Sequence, residues 1–242
     1  MNGDRLLSLT IIGVSVGMLL YAWIRYRVAS TPARVKRERG TFLLGEKFMS
    51  VVYHLFTPVI DWLALHNTNP NLLTWLSLPL GAFSGIAAAT GVWSVAALML
   101  MLSGLCDLLD GAIARKQGKA SHSGALLDSM IDRYVEFFVL LGISLYFFYS
   151  SAVVVLAFSA LFGSLLVTYS TAKAEALQMR PPRGFMKRPE RITYLFLGLL
   201  VAPWFPSMGF KVEGAMLITL GIIALFANLS AVIRMRAIYK QS

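Results

Sequence analysis

The stretch 107–132 reads DLLDGAIARKQGKASHSGALLDSMID and carries the aspartates Asp107, Asp110, Asp128 and Asp132. Asp107 and Asp110 are spaced i, i+3, and Asp128 and Asp132 are spaced i, i+4, so on helices each pair shares a face. Apolar runs flank them, WSVAALMLMLSGLC before and VEFFVLLGISLYFF after. Carboxylates gathered near hydrocarbon repel one another and lose hydration, so positive charge must compensate. One compensation is ion pairing with Arg115, Arg133 and nearby lysines. The other is a divalent metal. Hard cations such as Mg2+ or Mn2+ prefer carboxylate oxygens, and acid-rich sites hold two ions for phosphoryl chemistry. Between the pairs lie Gly111, Ala112, Ala114, Gly124 and Ala125. Such residues let a ligand approach closely. A salt-bridge cluster has no need of that cleared surface, whereas a nucleotide diphosphate with bridging metals does.

The elements that position these residues must be membrane helices. The chain has 242 residues, 57% of them hydrophobic and only 14% charged, against about 25% charged in soluble domains. Its mean hydropathy is +0.67. Seven apolar spans are expected, at about 6–24, 72–90, 92–110, 126–149, 151–172, 192–209 and 214–233. The segment 47–66, interrupted by Lys47, His54, Pro58 and Asp61, is expected as an amphipathic helix at the interface, with a short re-entrant span as the alternative. The glycine pairs Gly81/Gly85 and Gly104/Gly111 suggest close helix packing. Cys106 is the lone cysteine, which excludes an internal disulfide and a cysteine metal cluster, and its expected role is packing. His54, His66 and His122 form no metal set.

The formal net charge of +10 reads here as topology and anionic ligands, not nucleic acid. With the amino terminus outside, one arrangement puts nearly every cation on the cytoplasmic side. It covers Arg25 to Arg39, Arg115 to Lys119, Lys173 to Arg191 and Arg234 to Lys240, and leaves only Arg5 and Lys211 outside. The aspartates then lie at the cytoplasmic membrane edge. Cations follow the first apolar run instead of preceding it, so an uncleaved anchor is expected there, not a signal peptide.

The run Asp107-x2-Asp110-Gly111-x2-Ala114-Arg115-x8-Gly124-x3-Asp128-x3-Asp132 resembles the motif of the CDP-alcohol phosphotransferase family at all eight of its positions. Chance agreement is on the order of one in ten billion per start position at ordinary residue frequencies. The resemblance covers roughly 67–236. It implies an all-α integral membrane enzyme with a six-helix core that moves a phosphatidyl or similar group from a CDP-linked donor to an alcohol and releases CMP. On that likeness 67–242 is the catalytic domain, 41–66 the interfacial segment, and 1–40 an added anchor span with a basic stretch. Asp107, Asp110, Asp128 and Asp132 would be metal ligands for two ions, Mg2+ or Mn2+. Asp132 would also be general base. Asp107, Gly111, Ala114, Arg115 and Gly124 would hold the CDP group. Pro70-Asn71-Leu72-Leu73-Thr74 is similar to a second family element near the diphosphate. Thr74 would touch the donor there, or else the run simply starts a helix with Asn71 as cap.

The loop after the fifth span bears Lys173, Arg180, Arg183, Lys187, Arg188 and Arg191 against Glu175 and Glu190. A phosphate-bearing acceptor would need such forked donors, although a plain cytoplasmic loop can look the same. Ala172-Lys173-Ala174-Glu175-Ala176-Leu177 and Gly184-x3-Arg188-x-Glu190-Arg191 resemble the branch that makes phosphatidylinositol phosphate or archaetidylinositol phosphate. That likeness assigns the acceptor phosphate to Ser170, Lys173, Arg188, Arg191 and Arg234. The implied partners are CDP-diacylglycerol or a related CDP-lipid, a phosphorylated polyol, with inositol phosphate the first choice, membrane lipid, and a second copy in a homodimer. A phosphatidylglycerol phosphate synthase is the alternative enzyme. A divalent-cation transporter is the alternative of another class, but beyond the site only Glu136, about one turn deeper, could continue a pathway.

Overall fold

A computed structural model of the chain describes residues 3–26, 45–179 and 185–241. Arg27, Arg34, Lys36, Arg37 and Arg39, and the insert Arg180-Pro181-Pro182-Arg183 with Gly184, lie outside the described residues. Among those described there are eight α-helices and no strand: α1 (Gly3–Tyr26), α2 (Glu46–Leu65), α3 (Pro70–Ala89), α4 (Trp93–Lys116), α5 (His122–Tyr146), α6 (Ser151–Ala176), α7 (Arg188–Val201) and α8 (Val212–Tyr239). Six of them, α1 to α4, α6 and α8, are long and apolar enough to cross a membrane. The interfacial expectation for α2 rests on Lys47, His54, Pro58 and Asp61 along its length.

Two expected spans are drawn differently. The fourth starts at His122 because Ser121 caps it, its Oγ accepting from Gly124 N at 3.1 Å. The sixth starts at Arg188 and stops being α-helical at Val201, continuing as a 3-10 helix, Ala202–Met208. Pro203 and Pro206 have no N–H to give, so the 3-10 carbonyls three residues earlier, Leu200 O and Pro203 O, lose their partners. Helix α1 supplies both. Ser8 Oγ donates to Leu200 O at 2.7 Å and Arg5 Nε to Pro203 O at 2.9 Å. Asp4 also serves α4, whose own N-cap Val92 offers no side-chain bond. Its Oδ1 accepts from Ser94 N at 2.9 Å and its carbonyl from Ser94 Oγ at 2.6 Å. The added first helix is thus tied into the end of the bundle far from the aspartates.

The helices pack chiefly as α3 with α4 and α5, and α6 with α8, with α7 between the two groups against α4 and α8. Apolar side chains are no more attracted to each other than to lipid, so close backbone approach and interhelical hydrogen bonds must hold the assembly. Gly85 and Gly142 bring α3 and α5 into backbone contact. A Cβ on Gly142 would run into Gly85 O, and one on Gly85 into the carbonyl of Phe138. A Cβ on Gly81 would meet Val135 at 2.7 Å. Ser84 Oγ donates to Ala96 O at 2.7 Å and Ser103 Oγ to Ser77 O at 2.9 Å, joining α3 to α4. Asn228 Nδ2 donates to Ser159 O at 2.9 Å, joining α8 to α6.

Gly81 and Gly85 therefore pack helices as expected. Gly104 and Gly111 do not. A Cβ at Gly104 would meet nothing within 4 Å, and one at Gly111 would meet only the Arg115 side chain of its own helix. These two leave open space instead of closing a contact. Cys106 is buried and free, in keeping with a packing role.

Two stability contrasts follow in detergent-solubilised protein. Gly85→Val is expected to cost about 1–3 kcal/mol or more through overpacking, while Gly104→Ala stays within about 0.5 kcal/mol. Thermal unfolding compares them, and equal losses would contradict the assigned contacts. Ser8→Ala, which leaves Leu200 O unpartnered, is expected to lower stability by about 1–3 kcal/mol in the same measurement.

Candidate active site

Helix α4 carries Asp107 and Asp110 toward its C-terminal half, and α5 carries Asp128 and Asp132 in its first turns. The turn between them runs the chain back on itself, so both pairs meet at one level of the bundle. One carboxylate oxygen from each of Asp107, Asp110 and Asp128 lies within 4.8 Å of the others. In an octahedral Mg2+ shell with bonds of 2.0–2.1 Å, opposite oxygens are about 4.2 Å apart. The three carboxylates need only a small contraction to close on such an ion. The donor set, all hard oxygen, fits a divalent cation of this kind.

The cation that the structure places among the acids is Arg188, at the first turn of α7. Its Nη1 meets Asp107 Oδ2 at 2.8 Å and its Nη2 meets Asp132 Oδ1 at 2.5 Å. The sequence offered Arg115, Arg133 and nearby lysines for that pairing. Arg115 instead donates from Nη2 to the Tyr53 hydroxyl on α2 at 2.8 Å, and neighbouring Lys116 pairs with Asp61 of α2. Among the described residues, neither Asp110 nor Asp128 has an ion-pair partner. Asp110, only 5% exposed, accepts from Thr74 Oγ1 at 2.6 Å. Among the described residues, two of the carboxylates therefore have no ion-pair partner, and their oxygens suit a divalent ion.

Beside the acids opens a cleft of about 360 Å³, within the usual range for small-molecule sites. Thr74, Gly111, Ala114, Arg115 and Gly124 all line it, together with Asp110, Asp128, Asn71 and Ser121. Of the six residues that the resemblance assigned to the nucleotide, these five share one cavity wall, while Asp107 faces a neighbouring pocket with Arg188. Asn69, not Asn71, caps α3, its side chain accepting from Asn71 N at 3.1 Å. With Pro70 in the first helical turn having no N–H to satisfy, the residue before it takes the cap, and Asn71 is free to face the cleft.

The expected acceptor residues divide. Arg234, 5% exposed, reaches from α8 to Thr171 Oγ1 on α6 at 2.6 Å. Its Nε and that of Arg188 are buried with no hydrogen-bond partner. Ser170 turns its hydroxyl to Val167 O at 2.8 Å, and Lys173 is exposed at the end of α6. Arg191 is committed elsewhere. It forks onto Glu136, Nε to Oε1 at 2.8 Å and Nη2 to Oε2 at 3.1 Å, and its Nη1 donates to Met186 O at 3.0 Å. Both side chains are nearly fully buried. Glu136 is thereby paired and closed off, which removes the one deeper acid that could have extended a cation pathway.

The sequence did not single out Tyr53, Asn71 as a cleft residue, or the Glu136–Arg191 pair. The last had a signal, since a lone acid within an apolar run requires a partner, but its partner is 55 residues away and no spacing rule reaches that far.

Comparison with known proteins agrees with this geometry. An uncharacterized protein of Aquifex aeolicus is 31% identical over 181 residues, covering 74% of this chain and 89% of that protein. The archaetidylinositol phosphate synthase of Methanothermobacter thermautotrophicus is 29% identical over 174 residues, covering 70% of this chain and 86% of that protein. Crystal structures of the Mycobacterium tuberculosis phosphatidylinositol phosphate synthase superpose well. The form with CDP-DAG bound has a TM-score of 0.68 at 25% identity, covering 77% of this chain and 94% of that one. The form in complex with manganese and citrate has a TM-score of 0.67 at 26% identity, covering 76% and 88%. Residues 67–234 match the family of the CDP-alcohol phosphatidyltransferases, and the chain belongs to that family.

Proposed function

We propose that this chain transfers a phosphatidyl or related lipid phosphate from CDP-diacylglycerol, or a similar CDP-lipid, to the hydroxyl of inositol phosphate and releases CMP. The observation that carries this reading is the meeting of Asp107, Asp110 and Asp128, with Asp132 joined to Asp107 through Arg188, beside a cleft lined by Thr74, Gly111, Ala114, Arg115 and Gly124. The manganese and the CDP-DAG present in structures of a relative support it. For the acceptor, support comes from the names of the relatives and from the buried Nε atoms of Arg188 and Arg234, which have no hydrogen-bond partner.

In this reading Asp107, Asp110, Asp128 and Asp132 hold two divalent ions, Mg2+ or Mn2+. When bound, the ions neutralise the diphosphate and make CMP a better leaving group. Gly111, Ala114 and Gly124 admit the CDP group by keeping the cleft wall low, and Arg115 and Thr74 face it. Asp132 takes the proton of the acceptor hydroxyl as that oxygen bonds to the lipid-linked phosphorus. The bond from that phosphorus to the bridging oxygen breaks, and the oxygen leaves with CMP. Arg188 and Arg234, with Ser170 and Lys173, hold the acceptor phosphate. Arg191 shapes that pocket by fixing Glu136 and the Met186 carbonyl. In this reading the active face is cytoplasmic, which the positive-inside distribution of Lys and Arg supports, and the working unit is a homodimer.

Release of CMP by purified protein given CDP-diacylglycerol and Mg2+ or Mn2+ tests the reaction. Asp132→Asn is expected to lower kcat about 10²–10⁴-fold, the usual worth of a general base, and chelation to abolish turnover reversibly. CMP release that survives both at the original rate would sink the assignment. Inositol phosphate is expected to be the best acceptor, ahead of glycerol phosphate and far ahead of unphosphorylated inositol. Arg234→Ala is expected to raise the acceptor KM about tenfold or more, as for loss of a bond to a charged group, with the KM for the CDP-lipid unchanged. An equal rise in both would remove Arg234 from the acceptor pocket.

A further inference from the structure

Arg188 stands where two demands conflict. Its two terminal nitrogens occupy Asp107 and Asp132, one on each side of the site. Asp107 is also one of the three carboxylates close enough to share a metal ion, and Asp132 is the proposed base. A guanidinium lying on these oxygens blocks ligation at them and repels an incoming divalent cation. Helices α4 and α5 make few direct contacts with each other, so the Arg188 fork is one of the links between the two acidic pairs.

The same side chain is built to take a phosphate. A planar guanidinium binds phosphate oxygens in a fork as readily as carboxylates. The Nε of Arg188 is buried without an acceptor, and so is that of Arg234 on α8. A buried donor with no partner is costly, and an anion that reached both nitrogens would satisfy them. The backbone at Arg188 permits a local change without unfolding α7. The residue lies in the first turn, after the N-cap Lys187, whose backbone N–H bonds Glu190 Oε2 at 2.9 Å. One turn further on, Arg191 is locked to Glu136 and anchors the helix.

We propose that Arg188 is a specificity switch that couples the acceptor's phosphate to the metal site. With no acceptor bound, the guanidinium takes the place of a divalent ion between Asp107 and Asp132. A phosphomonoester on the acceptor draws it toward Arg234, and the two carboxylates are released for the metal and for proton removal. An alcohol without a phosphate cannot displace Arg188, so it meets a site whose base is still engaged. This rests on the acceptor reading above. It adds that acceptor phosphate and metal bind cooperatively and that Arg188 enforces the selectivity through Asp132, beyond its own contact with the phosphate.

The test is Mn2+ binding to the detergent-solubilised full chain, read by the free-ion paramagnetic resonance signal, with and without saturating inositol phosphate and with unphosphorylated inositol as control. In the wild type, inositol phosphate is expected to tighten the Mn2+ Kd at least fivefold, the lower end of ordinary coupling between sites, and inositol to leave it unchanged. Arg188→Gln is expected to tighten Mn2+ binding severalfold without any acceptor and to lose the coupling, while Arg188→Lys, which keeps the charge but not the fork, falls between. A wild-type Kd indifferent to inositol phosphate, or a Kd in Arg188→Gln that is unchanged or weaker, overturns the switch. If CMP release shows inositol phosphate to be the acceptor while Mn2+ affinity is indifferent to it, the switch fails and the function stands. If neither inositol phosphate nor glycerol phosphate supports CMP release, it is the acceptor reading that fails. The wild-type coupling needs no variant, so a misfolded substitution leaves the test intact.

Discussion

The structure is organised around the cost of holding four carboxylates together at one level of an apolar helical bundle. Charges of one sign at such distances repel strongly once water is partly excluded. Compensation is incomplete in the chain itself. Arg188 bridges Asp107 and Asp132, Thr74 donates to Asp110, and Asp128 is left without an ion pair among the described residues. A protein that sought only stability would replace such a group with apolar side chains at little cost or some gain. The acids persist because the missing positive charge is to be supplied by a divalent cation.

Everything around the acids serves their register. Glycines at 81, 85 and 142 let α3 and α5 approach to backbone distance, which sets where Thr74 and Asp128 fall along the cleft. Serine hydroxyls lock α3 to α4 at two levels, so the Thr74–Asp110 bond follows from helix register and is no accident of side-chain rotation. At the opposite end, α1 fills the backbone vacancies left by Pro203 and Pro206 and caps α4 through Asp4. It thereby secures the far ends of the two helices that carry Asp107, Asp110 and Arg188. The added helix is a brace of the catalytic unit as well as an apolar span.

Local chemistry was legible in the sequence and long-range pairing was not. The aspartate spacings, the low wall of Gly111, Ala114 and Gly124, and the apolar runs could all be read, because each depends on residues within a few turns of one another. Gly104 was misread because the sequence shows that a side chain is missing but not whether a neighbour or a void fills the space. Arg188 was assigned to the acceptor pocket, and Arg115, Arg133 and nearby lysines were the cations considered for pairing with the acids. The structure gives the acids to Arg188, since the turn preceding α7 brings a residue some fifty-six positions from Asp132 into contact with it. Arg191 with Glu136, and Ser8 with Leu200, are likewise contacts made only by tertiary folding. The helix start at His122 was missed although its cap, Ser121, is local, because the polar residues 121–123 hid it from a reading based on hydrophobicity.

The central claim is that these carboxylates form a divalent metal centre. The anomalous difference map of a crystal of the full chain grown with Mn2+ tests it most directly. The expected result is density enclosed by Asp107, Asp110 and Asp128, with a second peak shared by Asp132 and the Arg188 guanidinium moved off these oxygens. A map at saturating Mn2+ with no peak among the four aspartates, and Arg188 still bridging Asp107 and Asp132, would contradict it.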